Sequence, residues 1–345
     1  MDIKKDASNK IETGDVVFLT NSEVAALMPP MEKTIKIIEE TLIAHSERKT
    51  KLPSKSILSL EDRYKGRLIA MPAYVELNSG ASCGLKWVSS YAKNNTLNLP
   101  AVTALIVLNS PQTGIPYSIM DGTLITANRT GAASAVAAKY LFGKNSMATL
   151  TIVGASVQGY YQLIALKEVL NFKKIFVFDI NKDASQKFRE RILGKINGVD
   201  IIISDNCKKA VKDSDVIVTS TRALEPFLEG NWCYNAKLVI SIGAVAEVRY
   251  SFIQLCSKII VDSIDSVSHL GSLKPYIETG KLSVSDIYAE IGDVVSGKKP
   301  IDKSEKGTIF FVPMGMGIED VSLANFIYKK ALGLNIGTLI KNVFF

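Results

Sequence analysis

Histidine is scarce in this chain. Only His45 and His269 occur among 345 residues. An imidazole-built zinc centre or a histidine-based triad is hard to assemble from two, which removes many hydrolase mechanisms. His45 closes a predicted helix, where a surface or last-turn position is its default reading. Cysteine is sparse too. Cys83, Cys207, Cys233 and Cys256 are widely spaced and form no CxxC pair, so no disulfide framework is implied and buried free thiols are expected. No apolar run approaches the roughly 18 residues of a membrane span. The amino terminus, MDIKKDASNKIETGD, is polar and lacks a signal-peptide core. A cytoplasmic protein with no membrane partner is therefore expected, with residues 1–14 disordered. The net charge of +7 comes with scattered lysine pairs (Lys4-Lys5, Lys173-Lys174, Lys208-Lys209, Lys298-Lys299). None is interleaved with aromatics, so nucleic acid is not an expected partner, although the charge favours anionic substrates.

What is present is an ordinary globular composition, 47% apolar and 22% charged, in a chain long enough for two domains. Its organising stretch is 149–179, TLTIVGASVQGYYQLIALKEVLNFKKIFVFD. Leu150–Val153 reads as a buried strand, and Gly154 and Gly159 frame a tight turn. Leu163, Ile164, Leu166, Val169 and Leu170 follow at helical spacing. Ile175–Phe178 is a second strand ending in Asp179. Strand, glycine turn, helix, strand and terminal acid make a dinucleotide-binding βαβ unit. Backbone N–H groups at the helix start approach a pyrophosphate, and the acid accepts from the adenosine ribose. Ser156 stands where the usual G-x-G-x-x-G pattern has its second glycine. Asp179 repels a 2′-phosphate, so NAD is expected over NADP.

Around this unit the chain reads as α/β. A strand at Asp15–Leu19 precedes a short helix capped by Asn21, and then an amphipathic helix over Met31–His45. Strands at Arg67–Val75, Cys83–Ser89, Ala101–Leu108 and Pro116–Met120 predict an α+β part with antiparallel neighbours. A helix rich in small residues covers 123–142, with Arg129-Thr130 near its start. After the βαβ unit, strands at Asp200–Ser204, Val216–Thr219, Leu238–Ile242 and Ile259–Val261 alternate with helices, a doubly wound pattern. Ligands in such sheets bind beyond the carboxyl ends of strands, which draws attention to Thr219-Ser220-Thr221 and Ser241-Ile242-Gly243-Ala244. A last strand at Ile309–Val312 runs into Pro313-Met314-Gly315-Met316-Gly317. Glu319-Asp320 then open a helix, where acids serve commonly as dipole partners and caps.

Several segments together resemble the ornithine cyclodeaminase/μ-crystallin family. They are AMPAYV (70–75), GLKWVSSYAKN (84–94), IMDGTLITANRTGAASAVAAKYL (119–141), IVGASVQG (152–159), VIVTSTRA (216–223), SIGA (241–244) and PMGMGIEDVSLANFIYKKA (313–331). The resemblance implies a homodimer whose residues 1–135 and 314–345 form a substrate-binding and dimerisation domain, with a Rossmann-type doubly wound NAD-binding domain at 136–313. It implies chemistry at the Cα–N bond of an amino acid. It places the substrate on Lys55, Lys86, Arg129 and Met314, with Lys86, Arg129 and Asp320 catalytic. The cofactor would lie on Thr130, Gly154, Ser156, Val157, Gln158, Gly159, Asp179, Ser220, Thr221, Gly243, Ala244 and Arg249, and no metal is implied. Lys55 stands where the family usually has Arg, keeping the charge without the bidentate fork.

Two departures bear on the reaction. Cyclodeaminases carry an acid after the SIG strand, where this chain has Val245; Glu247, two residues on, is expected to aim elsewhere. They also have a Glu before the M-P pair, where Ala70 stands. An NAD-dependent amino-acid dehydrogenase, or the reverse imine reductase, is therefore expected. The carboxyl-terminal stretch 313–338 is particularly similar to the siderophore-pathway branch, which oxidises N-(2-amino-2-carboxyethyl)-glutamate to 2,3-diaminopropionate, 2-oxoglutarate and NADH. The alternatives are an ornithine cyclodeaminase that yields proline, and a non-catalytic dinucleotide-binding protein of the crystallin type.

Overall fold

The computed structural model describes residues 14–344, apart from 244, 269, 270, 303 and 305. The expected disorder of the first residues and the cofactor role of Ala244 thus lie outside the described residues. The chain divides into two compact units, one comprising residues up to Arg129 together with Met316 onward, the other Thr130–Gly315.

The first unit begins with β1 (Val16–Leu19), α1 (Asn21–Leu27) and α2 (Met31–Ser46). Ile35, Ile38 and Leu42 of α2 are buried on one face, each worth about 1.5–3 kcal/mol when fully removed from water. The short strands β2 (Thr50–Lys51) and β3 (Ser56–Ser59) precede the long strands β4 (Gly66–Leu77) and β5 (Gly80–Tyr91), and then β6 (Val102–Asn109) and β7 (Pro116–Asp121). The sheet order is carboxyl-terminal strand Thr338–Ile340, β1, β7, β6, β5, β4, β2, with β3 paired to β4. Neighbours are antiparallel except β1 and β7, which are parallel. One face is buried beneath the helix Gly317–Leu334, which packs on β4, β5, β6 and α2.

The periodicity of β5 decides what reaches that face. Ser82, Gly84, Lys86 and Val88 alternate inward, while Trp87 is 41% exposed on the other side. A lysine is thereby placed at a core position by register alone. At the end of β7, Asp121 accepts from the Thr123 N–H and hydroxyl at 3.1 and 2.9 Å, which starts α3 (Thr123–Ala138). That helix ends four residues earlier than its apolar pattern suggests and passes into a π-turn over Lys139–Gly143.

The second unit is a parallel sheet. Its strands are β8 (Met147–Val153), β9 (Asn171–Phe178), β10 (Asp200–Ile203), β11 (Val216–Thr219), β12 (Leu238–Ser241), β13 (Cys256–Val261), β14 (Ala289–Glu290) and β15 (Thr308–Val312). The order β10-β9-β8-β11-β12-β15-β13-β14 places the reversal of winding between β8 and β11, as in the doubly wound 3-2-1-4-5-6 arrangement. The helices α4 (Val157–Leu166) and α5 (Lys182–Ile192) follow β8 and β9. This is the Rossmann-type α/β architecture with a second α+β unit that the sequence implies.

One cap differs from expectation. Thr20, not Asn21, is the N-cap of α1. It forms a capping box with Glu23, whose carboxylate accepts from the Thr20 N–H at 2.7 Å. Asn21 instead donates to Asp121 at 2.9 Å. Thr20→Ala should lower the unfolding free energy by about 1 kcal/mol in urea denaturation.

Candidate functional site

Each unit carries its own constellation. In the first unit it is a buried charge cluster. Lys86 Nζ lies 2.7 Å from Asp320 Oδ2. The other oxygen of Asp320 accepts from Arg129 Nε at 3.0 Å, and Arg129 Nη1 donates to Glu319 at 2.9 Å. Lys86 and Glu319 are 1% exposed, Asp320 is fully buried and Arg129 is 6% exposed. The adjacent acids sit in the first turn of the helix Gly317–Leu334, and Arg129 comes from α3. With Lys86 protonated, two cations face two anions, so neither cation is left as an uncompensated buried charge.

Electrostatics single out Lys86. Burial lowers its pKa first, the Arg129 charge lowers it further, and Asp320 pulls it back; the outcome is about 7. The half-buried Lys55, in the stretch before β3, adds a further lowering charge. A lysine titrating near neutrality can take and return protons at working pH. Arg129 behaves oppositely. Burial alone would lower its pKa, but the charges of Asp320 and Glu319 outweigh that and raise it. Arg129 is thus a fixed cation and Lys86 a switchable one. Arg129 donates through Nε and Nη1 to the two acids, two of its five guanidinium N–H groups.

The sequence reading joined Lys86, Arg129 and Asp320, and the structure brings these three together with Lys55. Glu319 keeps its expected capping place, accepting from the Met316 N–H at 3.4 Å at the start of the helix, and the same oxygen also pairs with Arg129. The signal was two consecutive acids at the start of a helix whose other residues are mostly apolar. Met314 belongs to the second unit, where it packs against Gly271.

In the second unit the glycine turn closes β8. Gly154 has φ +103°, and a Cβ there would fall 2.7 Å from the Ser220 carbonyl oxygen, so only glycine suits the position. Ser220 in turn donates to the Gly154 carbonyl at 2.9 Å. Asp179 accepts from the N–H groups of Ala155 and Asn181, both at 2.8 Å, which fastens the acid to the turn and leaves further lone pairs on its oxygens. Ser156 is explained: it is the N-cap of α4 and accepts from the Gly159 N–H at 3.1 Å, a role glycine could not fill. Val157 is exposed beside it, while the Gln158 side-chain oxygen is buried without a hydrogen-bond partner among the described residues.

These residues fit a dinucleotide. A close glycine turn, the amino terminus of a ten-residue helix and an acid at the end of the next strand supply the three contacts that a pyrophosphate and ribose require.

The remaining sequence-predicted residues have other engagements. Thr130 accepts from Gln162 Nε2 through its carbonyl at 3.2 Å. Arg249 pairs with Glu229 at 2.7 Å on the surface. The N–H and hydroxyl of Thr221 both donate to Glu247, at 2.7 and 2.6 Å. Glu247 was expected to point away, and it is the centre of a buried network that includes Gly243. Among the described residues, no cluster of metal-ligating side chains occurs and no helix is long and apolar enough to cross a membrane.

The sequence profile of the ornithine cyclodeaminase/mu-crystallin family matches residues 15–335. The chain belongs to that family. It is 31% identical to the N-((2S)-2-amino-2-carboxyethyl)-L-glutamate dehydrogenase of Staphylococcus aureus, over 89% of this chain and 92% of that protein. The solved structure of Thermococcus litoralis Delta(1)-pyrroline-2-carboxylate reductase, in complex with NADH and L-proline, superposes with a TM-score of 0.88 at 33% identity, covering 94% of this chain and all of the other. An archaeal alanine dehydrogenase dimer with bound NAD superposes with a TM-score of 0.85 at 32% identity, over 96% of this chain and all of the other.

The bridging carboxylate is open to test. Asp320→Asn should destabilise the protein by about 3 kcal/mol or more in denaturant melts, because Lys86 and Arg129 then face each other with half their counter-charge removed.

Proposed function

We propose that this protein is an NAD-dependent oxidoreductase acting on the Cα–N bond of an amino acid or N-substituted amino acid, or reducing the corresponding imine. The observation that carries the reading is Lys86, buried between Asp320 and Arg129 and titrating near 7, in a family member whose structural neighbours hold NADH with L-proline or NAD.

NAD, when bound, accepts the hydride leaving the substrate Cα, or returns it in the imine-reducing direction. Gly154, Ser156 and the start of α4 would hold its pyrophosphate, and Asp179 its adenosine ribose. The chain's own charges handle the substrate. Arg129 and Lys55 bind the carboxylate. Lys86 in its neutral form takes a proton from the substrate ammonium group, exposing the nitrogen lone pair that assists loss of hydride. The imine left behind is electrophilic at carbon. Lys86, now protonated, protonates the amine that departs after water adds. Oxidation therefore consumes water and yields a 2-oxo acid and an amine. For N-(2-amino-2-carboxyethyl)-glutamate these products are 2-oxoglutarate and 2,3-diaminopropionate, and the Staphylococcus aureus relative supports this substrate as a specific candidate.

Ring closure with release of ammonia is less well supported. The family's acid position is held by Val245, an aliphatic side chain, and the nearby Glu247 carboxylate is taken up by five donors. The proposal extends to a cytoplasmic homodimer, in keeping with four free thiols and with the dimeric alanine dehydrogenase neighbour.

An absorbance screen for NADH formation and consumption, against amino acids, 2-oxo acids with amines, and cyclic imines, tests the reading. Net NADH change with at least one class is expected. NADH binding with no turnover on any class would instead indicate a binding protein, and proline formation from ornithine without net NADH change a cyclodeaminase. Lys86→Met should abolish turnover while NADH fluorescence quenching stays close to wild type; an equal loss of NADH binding would contradict the assigned role. Lys55→Met should raise KM by about tenfold or more, the loss of one charge-assisted contact of about 1.5–3 kcal/mol, with a much smaller change in kcat.

A further inference from the structure

Glu247 carries one of the densest side-chain networks among the described residues, and neither the proposed chemistry nor the glycine turn uses it. Its side chain is 1% exposed. One carboxylate oxygen accepts from the Thr221 N–H at 2.7 Å and the Thr221 hydroxyl at 2.6 Å. The other accepts from the Thr219 hydroxyl at 2.6 Å, the Ser241 hydroxyl at 2.8 Å and the Gly243 N–H at 3.0 Å. The residue's own N–H donates to Ser272, which also bonds Ser241 at 2.6 Å. Its carbonyl accepts from the N–H groups of Phe227 and Leu228.

These partners are not random core residues. Thr219 and Ser241 are the last residues of the neighbouring parallel strands β11 and β12, and Thr221 and Gly243 begin the loops that leave them. A Cβ on Gly243 would lie 2.5 Å from the Glu247 carboxyl carbon, so the loop's closest approach is to this side chain. Carboxyl ends of parallel strands are where doubly wound sheets take their ligands. In the order β10-β9-β8-β11-β12, Asp179 and the glycine turn serve the β9–β8 side. The loops after β11 and β12 lie on the opposite side of the switch point, where the second mononucleotide half of a dinucleotide binds.

We infer that Glu247 is a positioning residue for the nicotinamide half of the cofactor. Its carboxylate holds the loops after β11 and β12 in one register while leaving the adenosine half to Asp179. The inference rests on reading the second unit as a dinucleotide-binding domain. Glutamine cannot replace it. Hydroxyl donors can turn round to meet an amide NH2, but each carboxylate oxygen also meets one backbone N–H, which cannot. Either amide orientation sets N–H against N–H, at Thr221 or at Gly243, and one loop must move.

Calorimetric titration of the full chain with NADH and with ADP-ribose tests this. Wild type should bind both; failure to bind either would remove the dinucleotide reading itself. Glu247→Gln should weaken NADH by about tenfold or more and leave ADP-ribose within about twofold. Unchanged NADH affinity would overturn the assignment. Parallel weakening of both ligands would also overturn it, since a general loss of structure does not discriminate between the halves. If Glu247→Gln does not fold, Thr219→Val decides, because it removes one donor and keeps the side-chain shape. It should weaken NADH about threefold with ADP-ribose unchanged, and equal effects on the two ligands would overturn the proposal.

Discussion

A single carboxylate, that of Asp320, lets the first unit carry two cations in its core. It reaches Lys86 with one oxygen and Arg129 with the other, and none of it is exposed. Burying a cation is costly, and burying two side by side adds their repulsion. The arrangement persists because the charges of Asp320 and Glu319 return what desolvation takes. The balance is incomplete at Lys86, whose pKa falls from 10.5 to about 7 through burial and Arg129, against the pull of Asp320. Below about pH 7 the folded and unfolded chains both carry this proton, and the fold bears a buried cation. Between about 7 and 10.5 the unfolded chain binds the extra proton, so the contribution of Lys86 to stability rises with pH across that window. The burial that lowers the Lys86 pKa is thus a strain on the fold at low pH.

The second unit solves a different problem. A parallel sheet ends in unpaired backbone groups at the place where ligands bind, and here short polar side chains and two acids hold those ends in order. Asp179 ties the acidic end of β9 to the glycine turn, Ser156 caps the following helix, and Glu247 gathers the ends of β11 and β12. The first unit concentrates formal charge in its core, and the second fixes the backbone at the carboxyl ends of its strands.

Much of this was legible in the chain. The βαβ unit announces itself because strand, glycine turn, helix and acid are contiguous, and local sequence is enough to place them. Lys86 stood out only through the family resemblance of GLKWVSSYAKN; its burial follows from the alternation of β5, which sets it in step with Ser82, Gly84 and Val88. What escaped depends on register between distant segments. Glu319 was placed at the helix start, where it does cap, but its second partner escaped, since the pairing with Arg129 joins residues 190 apart. Glu247 looked misplaced relative to a family acid because its donors come from two strands whose alignment is set by the sheet, Val216 opposite Leu238 and Thr219 opposite Ser241. The cap at Thr20 was missed by one residue, a choice made by the capping box with Glu23 and by the diversion of Asn21 to Asp121.

Lys86 must change protonation near neutrality inside its ion cluster if it moves protons during turnover. The pH dependence of kcat/KM for amino-acid oxidation reports ionisations of the free enzyme. Wild type should show an ascending limb centred at about 7, reflecting loss of the Lys86 proton, and Asp320→Asn, lacking the charge that holds the proton on, should move that limb to lower pH. A profile with no ionisation near 7, or a limb that Asp320→Asn leaves in place, would contradict it.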